Sequence, residues 1–245
     1  MSSSKQTTLN KVSPSKGKFG VIVAARSGSV RLPGKALLPL CGVPMITYLL
    51  RRIIHSRLAD TIVFATTDLP QDDELTRVVL GEGVPVFRGS SNDVVLRYVL
   101  AASRYELDYV VRVTGDCPFV DARTLDYCIS LCKSLERFDL ATTKRQFPVG
   151  IDYEIYDASL MRNLHNANSL TREEREHLTL HIYNMESDFI VHRLSPNPMW
   201  LCNDTAFTVD TKDDYFFVSS LAARLPSVSA DLETIIETSR RMIHP

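Results

Sequence analysis

The sequence lacks any apolar run that approaches the roughly 20 residues a helix needs to cross a bilayer. It also lacks an excess of charge, because 28 lysines and arginines stand against 29 aspartates and glutamates, for a formal net charge of −1. This balance provides no broad field for nucleic acid or an anionic membrane, but it leaves room for a local basic pocket. We therefore expect small-molecule substrates, with neither nucleic acid nor a membrane as a partner.

Cysteine is scarce, with five residues that are odd in number and widely scattered. A chain of 245 residues is long enough to fold without disulfide staples. Cys128 and Cys132 could share a helix face, but no second Cys or His pair with zinc-site spacing accompanies them. We interpret the cysteines as buried free thiols, which places the protein in a reducing cytoplasm.

The N-terminal segment 1–18 has four lysines among Ser, Thr and Gln, and it has no acidic residue. Because it also lacks the apolar core of a secretion signal, we interpret it as a disordered polar tail. The rest of the chain, residues 19–245, has the composition of one globular domain. Within it, a change of pattern from about residue 142 to 200 predicts an insertion that serves as a lid or a dimerisation segment.

Short apolar runs alternate with segments of helical periodicity in the first half of the chain. The predicted strands are Phe19–Ala25, Thr61–Thr66, Val84–Phe87 and Tyr109–Val113. The predicted helices are the segment that Pro44 opens, Asp72–Leu80 and Asp93–Tyr105. This alternation predicts an α/β fold with a mostly parallel sheet and helices on both faces.

The second half of the chain is less regular. Strands are predicted at Ile151–Tyr156, Phe189–Leu194 and Ala206–Val209. Helices are predicted at Ala158–Asn166, at Thr171–Met185, from a cap at Thr211 to about Leu225, and at the end of the chain.

The loop directly after the first strand, Arg26–Lys35, carries three cations and two glycines and no acidic residue. Ligands bind at the carboxyl ends of strands in an open parallel sheet, so this loop lies where a site is expected. Its glycines allow close approach of the backbone, and Arg26, Arg31 and Lys35 can neutralise a phosphate chain. The alternative is a solvated surface loop, since Gly, Ser and Lys are common there.

Two familiar phosphate motifs are absent from this loop. The Walker pattern fails because Pro33 stands where a second glycine is required, and Ala36 follows the lysine. The three-glycine dinucleotide pattern is absent as well, so neither a P-loop NTPase nor a dehydrogenase is indicated.

The segment "ARSGSVRLPGKALLPLCGVPMI" resembles the signature of the cytidylyltransferases that make CMP-activated acidic sugars. Similar blocks follow in the family's order, with "ATTDLPQDDEL", "GVPVFRGSSNDVVLRY", "YVVRVTGDCPFVD", "REHLTLHIY" and "FTVDTKDDY". That family includes the KDO and sialic acid enzymes, and the turn from Thr114 to Pro118 is closest to its spore-coat polysaccharide (SpsF-type) branch. The resemblance implies a Rossmann-like nucleotide-diphospho-sugar transferase fold, which is GT-A-like.

The resemblance also implies an activity, namely transfer of CMP from CTP to an acidic sugar or related anionic metabolite, with release of pyrophosphate. It implies surface-glycan precursor synthesis, Mg²⁺ as the metal, and a homodimer. The acceptor stays open, because Val149 replaces an acidic residue of the family pattern in "FPVGID". The nucleophile, an anomeric hydroxyl or a phosphate, is open as well.

Site residues follow from the loop and from the resemblance. The catalytic candidates are Arg31, Lys35, Asp116 and Asp210, and the last two are also the candidate metal ligands. The nucleotide-binding candidates are Ala24, Ala25, Arg26, Ser27, Gly28, Ser29, Arg31, Lys35, Arg88, Asp93, Arg97 and Gly115. The acceptor-binding candidates are Asp152, Glu154, Arg175 and His177.

Both candidate metal ligands follow apolar runs, so parallel strands would bring them to one edge of the sheet. Each has a simpler alternative, because Asp116 could only order its turn and Asp210 could only cap the next helix. His177 and His181 have helical spacing, but the glutamate precedes the first histidine, which disfavours a zinc site.

Two other functional classes compete with this interpretation. A glycosyltransferase on a similar sheet would commonly carry an Asp-x-Asp metal motif, and the sequence has none. A nucleotide-binding regulator or scaffold without catalysis would have no need of Lys35 or of the two aspartates. A nucleotidyltransferase with a phosphorylated non-sugar acceptor is a further alternative.

Overall fold

The computed structural model describes residues 12–201 and 205–243. Its strands are β1 Phe19–Ala24, β2 Pro39–Leu40, β3 Val43–Pro44, β4 Thr61–Thr67, β5 Val86–Gly89, β6 Tyr109–Thr114, β7 Leu140–Thr142, β8 Glu154–Asp157 and β9 Val191–Arg193. Its α-helices are α1 Met45–Ile53, α2 Asp73–Gly81, α3 Val94–Arg104, α4 Ala122–Ser134, α5 Ala158–Asn166, α6 Arg172–Glu176, α7 Leu180–Asn184, α8 Lys212–Ala222 and α9 Leu232–Ile243.

Seven strands form one sheet in the order β5-β4-β1-β6-β8-β7-β9, and β2 and β3 pair as a separate hairpin. All neighbours in the large sheet are parallel except β8, which runs antiparallel to both β6 and β7. The prediction of a mixed, mostly parallel sheet is confirmed. Because β1 and β6 are adjacent and parallel, the loops that follow them meet at one edge.

Both faces of the sheet are covered by helices, as predicted. Phe19, Val21 and Val23 of β1 face the larger core, which contains buried residues of α1, α2, α4, α8 and α9. Ile22 points the other way, into a second core with residues of α3, α5 and α7. Because alternate side chains of β1 enter two different buried cores, the strand is a continuous apolar run in the sequence.

The segment 12–18, predicted as the end of a polar tail, lies against the sheet in the structure. The hydroxyl of Tyr109 donates to the carbonyl of Val12 at 2.6 Å, and the Lys18 ammonium donates to the carbonyl of Tyr105 at 2.8 Å. The remaining predicted tail, residues 1–11, lies outside the described residues.

The strand predicted at Ala206–Val209 is wrong. Phe207 donates its N–H to Val149 at 2.8 Å, while Val209 donates to Asp116 at 2.8 Å. The segment therefore bonds to two separate loops and not along one neighbouring strand. Its apolar residues Phe207 and Val209 are fully buried all the same, which explains the strand-like pattern.

The long helix predicted at Thr171–Met185 is also wrong, because it divides into α6 and α7 around an extended His177 with φ −109° and ψ 91°. The break lets the Thr179 hydroxyl donate to the buried carboxylate of Glu154 at 2.6 Å. In one unbroken helix, His177 would not be extended and Thr179 would not reach Glu154 in this way. The predicted insertion, residues 142–200, supplies β8 and β9 to the main sheet, and its lid or dimerisation role stays a prediction.

Four elements were not predicted, namely α4, β7 and the hairpin strands β2 and β3. Helix α4 begins at Asp121, whose carboxylate accepts from the N–H groups of Arg123 and Thr124. Its Cys128 and Cys132 are buried free thiols as predicted, whereas Cys41 is exposed and Cys202 lies outside the described residues. None of the helices within residues 12–201 and 205–243 has the length and apolar character that a bilayer crossing requires.

Candidate active site

A cavity of about 570 Å³ opens at the carboxyl ends of β1 and β6. Its lining includes thirteen of the predicted site residues, namely Ala24, Ala25, Arg26, Gly28, Ser29, Arg31, Lys35, Arg97, Gly115, Asp116, Asp152, His177 and Asp210. These residues come from six separate stretches of the chain, and the sheet order is what brings them together.

Five predicted residues do not line this cavity: Ser27, Arg88, Asp93, Glu154 and Arg175. The Arg88 guanidinium donates to the carbonyls of Thr67 and Leu69 and to Asp73, so it is engaged in the structure around β5. Asp93 caps α3 and accepts from Arg175 at 2.7 Å. These three side chains therefore hold neighbouring loops in place.

The loop after β1, residues 25–35, is called the β1 loop below. Its backbone is anchored by Asp72, which accepts from the Ser27 N–H at 2.7 Å and from the Thr67 hydroxyl. Burial raises the pKa of Asp72, but the hydrogen bonds from Thr67 and Ser27 outweigh it, and the pKa is lowered. At the other end, Gly34 takes a left-handed conformation with φ 68°, which favours glycine.

Asp72 was not among the predicted site residues. In the sequence it belongs to the acidic start of a helix, and no local pattern distinguishes it from Asp73. The structure buries Asp72 completely while Asp73 stays exposed.

A lysine–carboxylate cluster, formed by Lys35, Asp116 and Asp210, lies beside the β1 loop. The Lys35 ammonium donates to Asp116 Oδ2 at 2.6 Å, to Asp210 Oδ1 at 2.9 Å and to the carbonyl of Val209 at 2.9 Å. The structure thus brings together two aspartates that are 94 positions apart in the sequence. The cation between them is the side chain of Lys35. The sequence analysis predicted that Lys35 contacts a phosphate chain, but it did not predict these contacts with the aspartates.

The simpler role considered for Asp210 does not hold. The cap of α8 is Thr211, which forms a capping box with Asp214, and Asp214 also accepts from the Asp210 N–H at 3.0 Å. The Asp210 carboxylate is therefore free of the helix end, and it pairs with Arg31 at 2.9 Å as well as with Lys35.

The two charges of the Lys35–Asp116 pair support each other. Burial raises the pKa of Asp116, but the adjacent Lys35 ammonium outweighs it, and the pKa is lowered below its ordinary value of 3.8. Burial lowers the pKa of Lys35, but Asp116 and Asp210 outweigh it, and the pKa is raised above 10.5. Both groups are consequently ionised throughout the neutral range.

We expect this pair to shape the dependence of stability on pH. The lowered pKa of Asp116 contributes stability above its unfolded value, near 3.8, and this is lost as pH falls through the folded pKa. The raised pKa of Lys35 contributes stability below 10.5, and this is lost as pH rises through the folded pKa. Urea unfolding should therefore show a Lys35→Ala deficit that is constant near neutrality and shrinks below about pH 4.

The control for this measurement is Lys16→Ala, because Lys16 is exposed and its backbone N–H donates to the carbonyl of Ser13 within its own turn. Its stability curve should run parallel to that of the unchanged protein. A Lys35→Ala deficit of the same size at pH 3 and pH 7 would contradict the coupling.

The cations of the cavity differ in their surroundings. Arg31 is 66% exposed, and Arg26 contacts the carbonyl of Ser91 and the carboxylate of Glu176 at the rim. Arg97, by contrast, is 4% exposed, and burial lowers its pKa. Its NH1 donates to Ser90, and among the described residues its Nε has no partner and no carboxylate lies at ion-pair distance.

The opposite wall of the cavity is built from the loop before β8. Gly150 has φ +88°, and a Cβ there would lie 2.6 Å from the backbone of Phe207 and of Thr208, so only glycine fits. Its N–H donates to Asp152 Oδ1 at 3.0 Å, which orients that carboxylate at the cavity wall. His177 reaches the same cavity because the helix is broken there.

The two histidines with helical spacing, His177 and His181, have different surroundings, and His177 lines the cavity. His181 pairs with Glu174 at 3.0 Å, away from His177. Within residues 12–201 and 205–243, no group of three or more His, Cys, Asp or Glu side chains has the arrangement of a metal site.

Several cavity residues were missed by the sequence analysis. They are Val94, Tyr98, Arg112, Thr114, Cys117 and Thr208, with Val149 and Gly150 opposite. One signal was available, because Arg112 is a single cation inside the apolar run of β6. An arginine at such a position requires a buried partner or a ligand.

Comparisons with known proteins agree with this geometry. A family model described as "Cytidylyltransferase" matches residues 20–218. The spore coat polysaccharide biosynthesis protein SpsF of Bacillus subtilis is 33% identical over 219 residues, which covers 85% of this chain and 89% of that protein. The 3-deoxy-manno-octulosonate cytidylyltransferase of Geobacter sulfurreducens is 34% identical over 44% of this chain and 43% of its own length.

Solved structures show the same fold. A cytidylyltransferase from Leptospira borgpetersenii superimposes with a TM-score of 0.87 at 31% identity, covering 93% of this chain and 95% of that one. A CMP:2-keto-3-deoxy-manno-octonic acid synthetase complexed with CTP gives a TM-score of 0.66 at 20% identity, covering 85% and 99%. The nucleotide-diphospho-sugar transferase fold is therefore confirmed. With the family match over residues 20–218, the chain belongs to the cytidylyltransferases, which are CTP-dependent nucleotidyltransferases.

Proposed function

We propose that this enzyme transfers CMP from CTP to an anionic acceptor, an acidic sugar or a related metabolite, and releases pyrophosphate. The observation that carries the proposal is the lysine–carboxylate cluster beside a cationic glycine loop at the carboxyl ends of β1 and β6. The similarity to SpsF, whose name refers to spore coat polysaccharide, supports a role in surface-glycan precursor synthesis.

In the proposed reaction, an oxygen of the acceptor attacks the α-phosphorus of CTP. The new O–P bond forms as the bond from the α-phosphorus to the β-phosphate oxygen breaks, and pyrophosphate leaves with that electron pair. The attack brings an anion towards an anion, so its main requirement is neutralisation of charge. Lys35 at the cluster and Arg26 and Arg31 at the rim supply three positive charges for this purpose.

The nucleotide is held by the β1 loop in this proposal. The open backbone at Gly28 lets the triphosphate approach closely, while Asp72 fixes the loop from beneath through Ser27. Because Arg97 is buried without an ionic partner among the described residues, a bound anion would supply the charge that it lacks.

The residues present fit a magnesium ion. Asp116 and Asp210 offer hard carboxylate oxygens beside the cavity, and each is engaged with Lys35 through one oxygen only. Mg²⁺ is usually held by one or two carboxylates together with water and substrate phosphates, so two ligands suffice. When bound there, the ion would supply further neutralisation of the triphosphate and of the leaving pyrophosphate.

The acceptor is proposed to occupy the opposite side, near Asp152 and His177. Glu154 and Arg175, also predicted to contact it, do not line the cavity and would act through their partners, Arg112 and Asp93. The cytoplasmic location is supported by the four free cysteines among the described residues. The homodimer stays a prediction.

The direct test is a pyrophosphate-release assay with CTP, Mg²⁺ and a panel of carboxylated sugars, phosphorylated sugars and their neutral parents. Turnover with a carboxylated sugar and CTP supports the proposal. Turnover only with a phosphorylated non-sugar compound would change the acceptor class. Normal CTP binding without pyrophosphate release for any acceptor would favour a regulator or scaffold. Equal turnover with UTP would show that the enzyme does not prefer cytosine as the base.

We expect Asp116 and Asp210 to act as a unit in this assay. Replacing either with asparagine keeps the shape and removes one negative charge, so Mg²⁺ affinity and turnover should fall together, turnover by about 10²-fold. The double replacement should be little worse than either single one. Mg²⁺ titration of the three variants, read by CTP turnover, measures this.

The matched control is Asp213→Asn, on the exposed first turn of α8 three residues from Asp210. It removes the same charge outside the cavity and should leave the Mg²⁺ dependence as it is. Full activity of Asp210→Asn at low Mg²⁺ would contradict a magnesium site shared by Asp116 and Asp210.

A further inference from the structure

Beneath the lysine–carboxylate cluster, the floor of the cavity contains polar groups for which the proposed nucleotide site has no use. Side chains alternate along β6, so Val110, Arg112 and Thr114 lie on one face of the sheet. Val110 is sealed in the core beneath α3, whereas Arg112 and Thr114 line the cavity. Arg112 lies two residues below Thr114, about 7 Å further into the cavity.

Arg112 is held from behind by a buried carboxylate. It is paired across the antiparallel register with Glu154 of β8, and its NH1 lies 2.5 Å from Glu154 Oε2. Glu154 is 2% exposed, and its other oxygen accepts from Lys144 at 2.9 Å and from the Thr179 hydroxyl. One carboxylate therefore serves two cations, and the group keeps one unbalanced positive charge.

The guanidinium is only partly used by this arrangement. Among the described residues, NH1 is the only Arg112 side-chain nitrogen that donates a hydrogen bond, and 29% of the side chain is open to the cavity. A buried ion pair by itself is a weak source of stability and is often matched by apolar residues of similar volume. The open side of Arg112 therefore points to a ligand.

Tyr98 of α3 provides a second, independent observation. It is 1% exposed and lines the same cavity, and its hydroxyl, which lies beside the Arg112 guanidinium, has no acceptor for its proton among the described residues. Leaving a buried hydroxyl without a partner is costly, so such a group in a cavity wall indicates a missing acceptor. Burial raises the pKa of Tyr98, and nearby Arg112 opposes that rise, so the hydroxyl is a neutral donor beside a cation.

We propose that Arg112 and Tyr98 together receive an oxyanion of the acceptor, a carboxylate or a phosphate, on the cavity floor. This assignment rests on the proposed CMP transfer, because it is the acceptor that is taken to extend from the cluster towards β8. The guanidinium offers two parallel donors to one oxyanion, and the tyrosine adds a third. Glu154 orients Arg112. When the ligand's negative charge neutralises Arg112, the ammonium of Lys144 neutralises the Glu154 carboxylate.

The triphosphate is the other anion that could reach the cavity, but it has cations of its own. Arg26 and Arg31 lie at the rim and Lys35 at the cluster, all of them on or beside the β1 loop. Arg112 lies below Thr114, and its ion pair is with Glu154 of β8. The acceptor side of the cavity therefore has its own anion receptor.

Tyr98→Phe is the sharpest variant, because it removes only the unpartnered hydroxyl. The matched control is Tyr156→Phe, whose hydroxyl is also buried and unpartnered but does not line the cavity. Both variants should unfold at a higher temperature than the unchanged protein. Only Tyr98→Phe should raise the KM of the acceptor, by about tenfold, with the KM of CTP unchanged.

Arg112→Lys keeps the charge without the fork and should lose part of this acceptor affinity, whereas Arg112→Met should lose more. A rise in the KM of CTP with no change for the acceptor would overturn the proposal and assign the floor to the nucleotide. Equal acceptor kinetics for Tyr98→Phe and Tyr156→Phe would overturn it too.

A second measurement does not need the natural acceptor. The full chain, labelled with ¹⁵N at its arginine side chains, is titrated with acetate, inorganic phosphate or glycerol, and Arg112→Met assigns the Arg112 signal. A saturable shift of that signal with acetate identifies a carboxylate receptor, and one with phosphate identifies a phosphate receptor. A shift with neither anion, or an equal shift with glycerol, would overturn the proposal.

Failure of the two proposals can be told apart. Anion binding at Arg112 without any CMP transfer would leave the floor receptor standing and remove the proposed reaction. CMP transfer with no response of the Arg112 signal to either anion would support the proposed reaction and remove the anion receptor on the floor.

Discussion

Lys35→Ala is expected to lower kcat/KM for CTP by about 10²- to 10³-fold, the size associated with losing one preorganised electrostatic contact. The ammonium is the one group that contacts both Asp116 and Asp210, at 2.6 and 2.9 Å, in the described part of the chain. Without it, the two carboxylates face an incoming triphosphate with less compensation, so binding and turnover should both suffer. Steady-state kinetics with CTP as the varied substrate measure the loss.

Rescue distinguishes an electrostatic role from a structural one. Ethylammonium fits the space that the shortened side chain leaves, and it should restore part of the lost activity, whereas neutral ethanol should not. Lys16→Ala, at an exposed position, should behave as the unchanged protein does. Unchanged kinetics for Lys35→Ala at normal thermal stability would show that the β1 loop is an ordinary surface loop.

Arg52→Met is expected to destabilise the protein by about 3–5 kcal/mol, because it removes a buried charge that binds several carbonyl groups. The side chain of Arg52 is fully buried, and it donates to Phe119 and Val120 before α4 and to Val228 and Ala230 before α9. Methionine fills most of the volume but leaves these carbonyls without donors. The melting temperature should fall by about 10 °C.

The neighbouring arginine provides the matched control. Arg51 lies on the same helix and pairs with Glu82, but its side chain is 46% exposed. Arg51→Met should change stability by less than about 1 kcal/mol, as surface ion pairs do. Equal melting temperatures for Arg51→Met and Arg52→Met would contradict the bridging role of Arg52 between the segments before α4 and α9.

Much of the first half of the fold could be predicted from short stretches of sequence. The strands β1, β4 and β6 are mostly apolar, and Asp93 and Thr211 cap their helices through bonds to residues within three positions. Each of these features depends on neighbours in the chain, so a local pattern is enough. The convergence of Asp116 and Asp210 was predicted too, but from two parallel strands, and the second of these, Ala206–Val209, is not a strand in the structure.

Other features depend on which strands become neighbours. Ala206–Val209 is as apolar as a strand, yet its partners are Val149 and Asp116 on separate loops. Asp72 differs from Asp73 only because the β1 loop passes above it and Ser27 donates to its carboxylate. Nothing in the residues adjacent to these positions records such contacts.

The cavity floor shows the same division between local and distant information. Local sequence was enough to place the β1 loop at the cavity, because a loop that follows a buried parallel strand lies at the carboxyl edge of the sheet. Only the tertiary structure paired Arg112 with Glu154, since that contact requires β8 to enter the sheet antiparallel beside β6. Only the tertiary structure, too, brought α3 over the same face and left the Tyr98 hydroxyl without an acceptor among the described residues. The physical reason is that long-range register decides which buried charges meet, and residues 42 positions apart carry no local sign of it.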